Sequence, residues 1–172
     1  MTHRGRSALL AAALLAACAS PPVGPEAVSG RLSLQVAADG AQPARGFNAA
    51  FDLRGTAEAG ELRLSTPLGP QIAAARWAPG QVHLATGDGE RLYPSLEALA
   101  RDALGEPVPL QALPSWLRGQ PWPGAPAQPD PLGFTQLGWT LDLSRRAEGF
   151  IIALRERPPA VTLRLRLDPA AP

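Results

Sequence analysis

With 172 residues the chain is long enough for one domain and hardly for two, and its 20 prolines and 17 glycines argue against a helical bundle and for short strands joined by turns. All 16 basic residues are arginine, set against 15 acids for a formal charge of +1, so no electrostatic footprint for nucleic acid is visible. Hydrophobic residues make up 45% of the chain but aromatics only 5%, so the interior is expected to be aliphatic.

The first segment reads as an address. Arg4 and Arg6 precede an apolar stretch, Ala8 to Ala17, that is too short to span a bilayer, which takes about 20 apolar residues in a helix. Residues 1–17 are therefore expected to be a signal peptide. It ends in Leu15-Ala16-Ala17-Cys18, which resembles the bacterial lipobox, in which the cysteine thiol takes a diacylglyceryl group before cleavage. Cys18 is the only cysteine, so it is the expected lipidation site and no internal disulfide is available. Ala19 follows it rather than the Asp that retains lipoproteins at the inner membrane in enteric-type sorting, which favours the outer membrane. Residues 19–28 carry three prolines and little to pack, and read as a tether extending about 3.1 Å per residue.

From residue 29 to 172 a single domain is expected, and from Gly30 the apolar period is two. Leu32, Leu34 and Val36 alternate with Ser33 and Gln35; Phe47, Ala49, Phe51 and Leu53 form a second row; Leu62 and Leu64 flank Arg63; Val82 and Leu84 flank His83. Later rows are Trp139, Leu141 and Leu143; Phe150, Ile152 and Leu154; and Val161, Leu163, Leu165 and Leu167. Such alternation marks an antiparallel sheet with one dry and one wet face. Asp39-Gly40, Pro79-Gly80 and Gly87-Asp88-Gly89 supply turns, giving eight or nine strands in up-and-down order.

One segment breaks the rhythm. Ser95 is placed to cap a helix whose apolar stripe is Leu96, Leu99, Ala100, Ala103 and Leu104, with Glu97 four residues before Arg101 and Gly105 as the stop. A second short helix is expected around Leu110, Leu113, Trp116 and Leu117, kinked or started late by Pro114. Residues 119–133 hold five prolines and read as an irregular loop, with Trp122 against the apolar surface. Periodicity alone leaves two outcomes open: a closed, fully packed barrel or sandwich, or a curved sheet roofed but not filled.

Several stretches resemble the outer-membrane lipoprotein receptor family LolB. They are Gly30-Arg31-Leu32, the run Glu61 to Pro70 (Glu-Leu-Arg-Leu-Ser-Thr-Pro-Leu-Gly-Pro), the run Pro107 to Gly119, and Gln136-Leu-Gly-Trp139. The resemblance covers about residues 29–167. It implies an unclosed antiparallel half-barrel with a helical lid enclosing a hydrophobic cavity. It also implies a monomeric receptor that takes triacylated lipoproteins from a LolA-like periplasmic carrier and places them among outer-membrane phospholipids. No cofactor is implied. Candidate cavity residues are Leu62, Leu64, Trp77, Val82, Leu84, Leu141 and Leu143, and candidate lid residues are Leu96, Leu99, Leu104, Leu113, Trp116 and Leu117. Pro67, Leu68 and Gly69 form an expected membrane-insertion loop, because an apolar residue at a turn tip has nowhere dry to go unless it meets another surface. In the family the matching leucine projects and aids insertion.

Catalysis is not expected. No Gly-x-Ser-x-Gly elbow or Cys/His cluster occurs, His83 sits on a strand, and Asp88 and Glu90 read as solvated turn carboxylates. Arg164 and Arg166, alternating with leucine, read as a wet face, with docking of a complementary carrier as the alternative. Two other readings stay open: a lipoprotein that carries another amphiphile, such as a glycolipid or phospholipid, and an envelope scaffold with a packed core.

Overall fold

The computed structural model describes residues 27–40, 42–67 and 69–169. The expected signal peptide, Cys18, most of the tether and Leu68 lie outside the described residues.

Eleven strands form one antiparallel sheet. The first meander is β1 (Val28–Val36), β2 (Arg45–Gly55), β3 (Gly60–Ser65), β4 (Gln71–Ala78), β5 (Gln81–Thr86) and β6 (Gly89–Tyr93). The second is β7 (Ala127–Asp130), β8 (Gly133–Gln136), β9 (Trp139–Asp142), β10 (Phe150–Arg155) and β11 (Val161–Leu167). β11 returns to pair with β1, from Gly30↔Leu167 to Val36↔Val161, so the order runs β6-β5-β4-β3-β2-β1-β11-β10-β9-β8-β7. β6 and β7 are the free edges. The sheet is a half-barrel that does not close.

The apolar rows expected from alternation form the inner face, with one exception. Phe150, Ile152 and Leu154 were expected to face the core, but the inward residues of β10 are Ile151, Ala153 and Arg155, paired with Leu165, Leu163 and Val161. The run Phe-Ile-Ile-Ala-Leu is apolar on both faces, so hydropathy cannot set its phase. The partner's register does, and a one-residue slip turns every side chain over. On the outer face Phe150 instead lies between two guanidiniums, Arg145 at 4.5 Å and Arg166 at 5.7 Å from its ring centre.

A second correction concerns 119–133. Four of those residues form β7, and Pro129 pairs with Phe134. Proline lacks the amide a central strand would use, but an edge strand tolerates it.

Between the meanders lie α1 (Leu96–Leu104), a 3₁₀ turn (Leu110–Ala112) and α2 (Leu113–Trp116). The Ser95 side chain accepts from the Ala98 amide, Gly105 ends α1 at φ 69°, and Glu97 bridges Arg101 at 2.6 Å. Pro114 occupies the first turn of α2, where its missing amide costs nothing, so that helix starts late rather than kinks. Helices this short are unstable alone. They persist because Leu96, Leu99, Leu113 and Leu117 are buried against the sheet, each worth about 1.5–3 kcal/mol.

Polar groups fix where the roof sits. Gln136, buried on β8, accepts from Trp116 Nε1 at 2.8 Å and from the Trp122 amide at 2.9 Å. Its own amide donates to the carbonyls of Trp122 and Ala125 at 2.8 and 2.7 Å, so all four of its bonding positions are used. On the other flank Glu106, just past α1, meets Arg155 at 2.6 Å and Arg45 at 3.1 Å. Arg155 also donates to the Pro159 carbonyl and stacks 5.8 Å from the Trp139 ring centre.

Glu106→Gln would leave a buried guanidinium without its counter-charge, an error worth about 3–5 kcal/mol. Urea unfolding of this variant is expected to show a loss in that range. A loss below 1 kcal/mol would mean that the cluster does not secure the roof.

Candidate functional site

The space beneath the roof is divided unevenly. In the second meander it is solid: Trp116, Trp139, Leu141, Ile151 and Val161 are the largest fully buried side chains, and the two indoles lie 6.3 Å apart. In the first meander it is hollow. A cavity of about 380 Å³ lies between the inner face of β3–β5 and α1, within the size range of small-molecule sites. Leu62 and Leu64 on β3, Ala73 and Ala75 on β4 and Leu84 on β5 form its wall, and Leu99, Ala103 and Leu104 form its roof.

The alanines make the room. Leu62 pairs with Ala75 and Leu64 with Ala73, so each large side chain on β3 faces a small one on β4. A second, wholly apolar recess of about 50 Å³ continues inward between Leu32, Phe51, Leu113 and Leu117. It shares Phe47, Leu62, Leu64, Leu104 and Leu110 with the larger space. Together they form one continuous apolar trough.

The rim is polar. Thr86 at the end of β5, Asp88 from the β5–β6 turn, Arg91 and Tyr93 from edge strand β6, and Asp102 from α1 surround the opening. The Tyr93 hydroxyl donates to Asp102, and Arg91 approaches the same carboxylate at 3.4 Å. The bond to Asp102 holds the Tyr93 phenol protonated and raises its pKa above the ordinary tyrosine value. These contacts tie α1 to a sheet edge that has no further strand beside it among the described residues. His83, by contrast, lies on the outer face beside Glu90, at 3.3 Å.

Of the residues assigned to the cavity from sequence, Leu62, Leu64 and Leu84 line it. Trp77, Val82, Leu141 and Leu143 are not part of its wall or of the inner recess. Trp77 packs at the far end of the barrel, with its indole N–H donating to the Thr56 carbonyl at 3.0 Å and its ring against Gly60, where a Cβ would come within 2.6 Å. Leu141 belongs to the solid half. Of the lid residues, Leu99, Leu104, Leu113 and Leu117 face the trough, while Leu96 is buried beside it and Trp116 in the solid half. Phe47, Ala73, Ala75 and the Tyr93–Asp102 rim were not singled out. The small residues at alternate positions before Trp77 were the one available signal.

The loop expected from its sequence to meet a membrane joins β3 to β4. The Thr66 amide donates to the Pro70 carbonyl at 3.0 Å and the Gly69 amide to the Thr66 carbonyl at 3.2 Å, which pinches the loop at its base. Gly69 has φ 143°. Ile72, left unpaired by a bulge, is 43% exposed beside it.

Filling the wall tests the trough directly. Ala73→Phe is expected to cut binding of a fluorescent fatty acid at least tenfold, about 1.4 kcal/mol, while thermal unfolding stays close to that of the parent. Unchanged probe binding would place the apolar site elsewhere.

A family model described as "Outer membrane lipoprotein LolB" matches residues 27–167. A relative from Bordetella petrii, named outer-membrane lipoprotein LolB, is 34% identical over 174 residues, covering 90% of this chain and 86% of its own. The protein of that name from Bordetella pertussis is 36% identical over 175 residues with the same coverage. A third, from Chromobacterium violaceum, is 37% identical over 126 residues, covering 72% of this chain and 66% of its own. A match that spans the whole described sheet, together with its open edges and roofed trough, shows that the chain belongs to the outer-membrane lipoprotein LolB family.

Proposed function

We propose that this protein is an outer-membrane lipoprotein receptor facing the periplasm. In this reading residues 1–17 are removed as a signal peptide, Cys18 carries the lipid anchor, and residues 19–28 tether the domain. A LolA-like carrier hands over a triacylated lipoprotein, whose acyl chains occupy the trough between β3–β5 and α1. The loop Pro67-Leu68-Gly69 then meets phospholipid as the cargo passes into the inner leaflet.

The observation that carries this reading is the apolar trough with its polar rim. Each acyl CH₂ withdrawn from water is worth about 0.8 kcal/mol, so a triacylated chain crossing the periplasm bare would cost tens of kcal/mol. It must pass from one dry site to another. A wall of Leu opposite Ala supplies such a site without hydrogen-bonding groups that would need a polar ligand. The handover needs no nucleotide if affinity for the acyl chains rises from carrier to receptor. A packed envelope scaffold has no use for such a space. A carrier of another amphiphile would use it equally, and only a transfer assay separates the two.

That assay uses a lipoprotein-loaded carrier, the anchored receptor and phospholipid vesicles. Cargo is expected to leave the carrier and become vesicle-bound. Leu68→Glu should leave fatty-acid binding intact and lower delivery at least tenfold. If delivery proceeds unchanged, Leu68 does not touch the bilayer. If no cargo leaves the carrier for the parent protein, the receptor reading itself fails.

A further inference from the structure

The two-residue turn between β8 and β9 is Leu137-Gly138, at φ 55° and 77°. Positive φ at both central positions is the type I′ geometry, which favours Asn-Gly or Gly-Gly. Leu137 is the one non-glycine residue with positive φ among the described residues. The fold repays the choice only in part: a γ-branched side chain is unfavourable there, and although it borders a recess with Val108, Pro109 and Trp139 it stays 39% exposed. A leucine held at positive φ with over a third of its surface still exposed is a candidate for contact with an apolar surface outside the domain.

Arg157 lies against the same turn. Its Nη2 comes within 2.7 Å of where a Cβ on Gly138 would be, so the guanidinium rests directly on the glycine. No carboxylate lies within ion-pair distance of Arg157 among the described residues. Leu137 and Arg157 flank a recess of about 220 Å³ that also includes Glu97 and Arg155, and Arg155 is already held by Glu106. Glu156 adjoins Arg157 in the chain.

Strand direction places the turn. Alternate connections of an up-and-down sheet lie at opposite ends, so the β8–β9 turn shares its rim with the β3–β4 loop and with the β5–β6 turn at the trough's opening. Four strands (β2, β1, β11 and β10) separate it from β3, roughly 20 Å or more at about 4.8 Å per strand.

We propose that Leu137 and Arg157 form a second contact with the phospholipid surface, the leucine entering the acyl boundary and the guanidinium engaging lipid phosphate. A single contact at the β3–β4 loop leaves the barrel free to pivot. Two contacts on one rim fix the tilt and hold the opening toward the membrane. The pairing of two contacts rests on the proposed membrane role of the β3–β4 loop, while the contact at Leu137 and Arg157 itself requires neither cargo nor carrier.

The test uses the full anchored chain in vesicles of phosphatidylethanolamine and phosphatidylglycerol. A nitrobenzoxadiazole label is attached at Leu137→Cys or, as control, at Leu132→Cys, a 52% exposed leucine in the β7–β8 turn at the opposite end. The parent chain treated with the same label serves as the blank. Spin-labelled phospholipid is expected to quench the label at position 137 several-fold more than that at 132. Equal or absent quenching overturns the proposal, and a response at 137 only when the carrier is added overturns it in favour of a protein contact. Leu137→Asn supplies an independent readout. Asparagine suits the turn, so thermal stability should hold or rise while delivery falls about threefold; unchanged delivery at equal or higher stability would also overturn the proposal. Loss of carrier handover with quenching at 137 intact would defeat the receptor reading and leave this one standing.

Discussion

The structure depends on one long-range pairing, β1 with β11. Each meander by itself is a local arrangement of hairpins. Joining the first strand to the last makes them a single curved sheet and leaves β6 and β7 as edges that do not meet. An inner face of Leu, Val, Phe and Ala cannot remain wet, and with the sheet unclosed only the connection between the meanders is left to cover it. Residues 94–126 therefore become a roof because of where the strands before and after them are held.

That roof is shared between two kinds of interior. On the second-meander side, two indoles and the aliphatic side chains of β9, β10 and β11 fill the volume. On the first-meander side, leucines on β3 face alanines on β4, and the volume stays open. The solid half gives the domain its rigidity, so the hollow half does not have to collapse to stabilise the fold.

Polar bonds decide the position of the roof where apolar contact would allow it to slide. Gln136 holds Trp116 and the 122–125 segment with directional hydrogen bonds, and Glu106 draws the end of α1 toward Arg155 and Arg45. Both anchors hold to β2, β8 and β10, on the far side of β3 from edge strand β6. At the opening itself α1 is tied to β6 by the exposed contacts of Asp102 with Tyr93 and Arg91, which solvent screens. The roof is thus firmest where the interior is solid and most lightly held where a ligand would pass.

Much of this was legible in the chain. Period-two rows, turn glycines, the Ser95 cap and the stripe of α1 are local properties, and residues such as Leu34, Phe51, Leu163 and Leu99 could be placed by counting. Hydropathy settles which way a side chain points when its neighbours differ in polarity. It fails where they do not, as in Phe150 to Leu154, where only the register against β11 turned Ile151 and Arg155 inward. It also cannot say whether an inward residue meets a neighbour or a void. Leu62 and Leu141 have the same signature in the sequence, yet one lines a trough and the other is packed among tryptophans, because volume is set by what lies opposite across the barrel. Local patterning was enough for the antiparallel sheet, the roof and their dry faces. Which half is hollow emerged on folding, since that depends on side chains brought together from strands far apart in the chain.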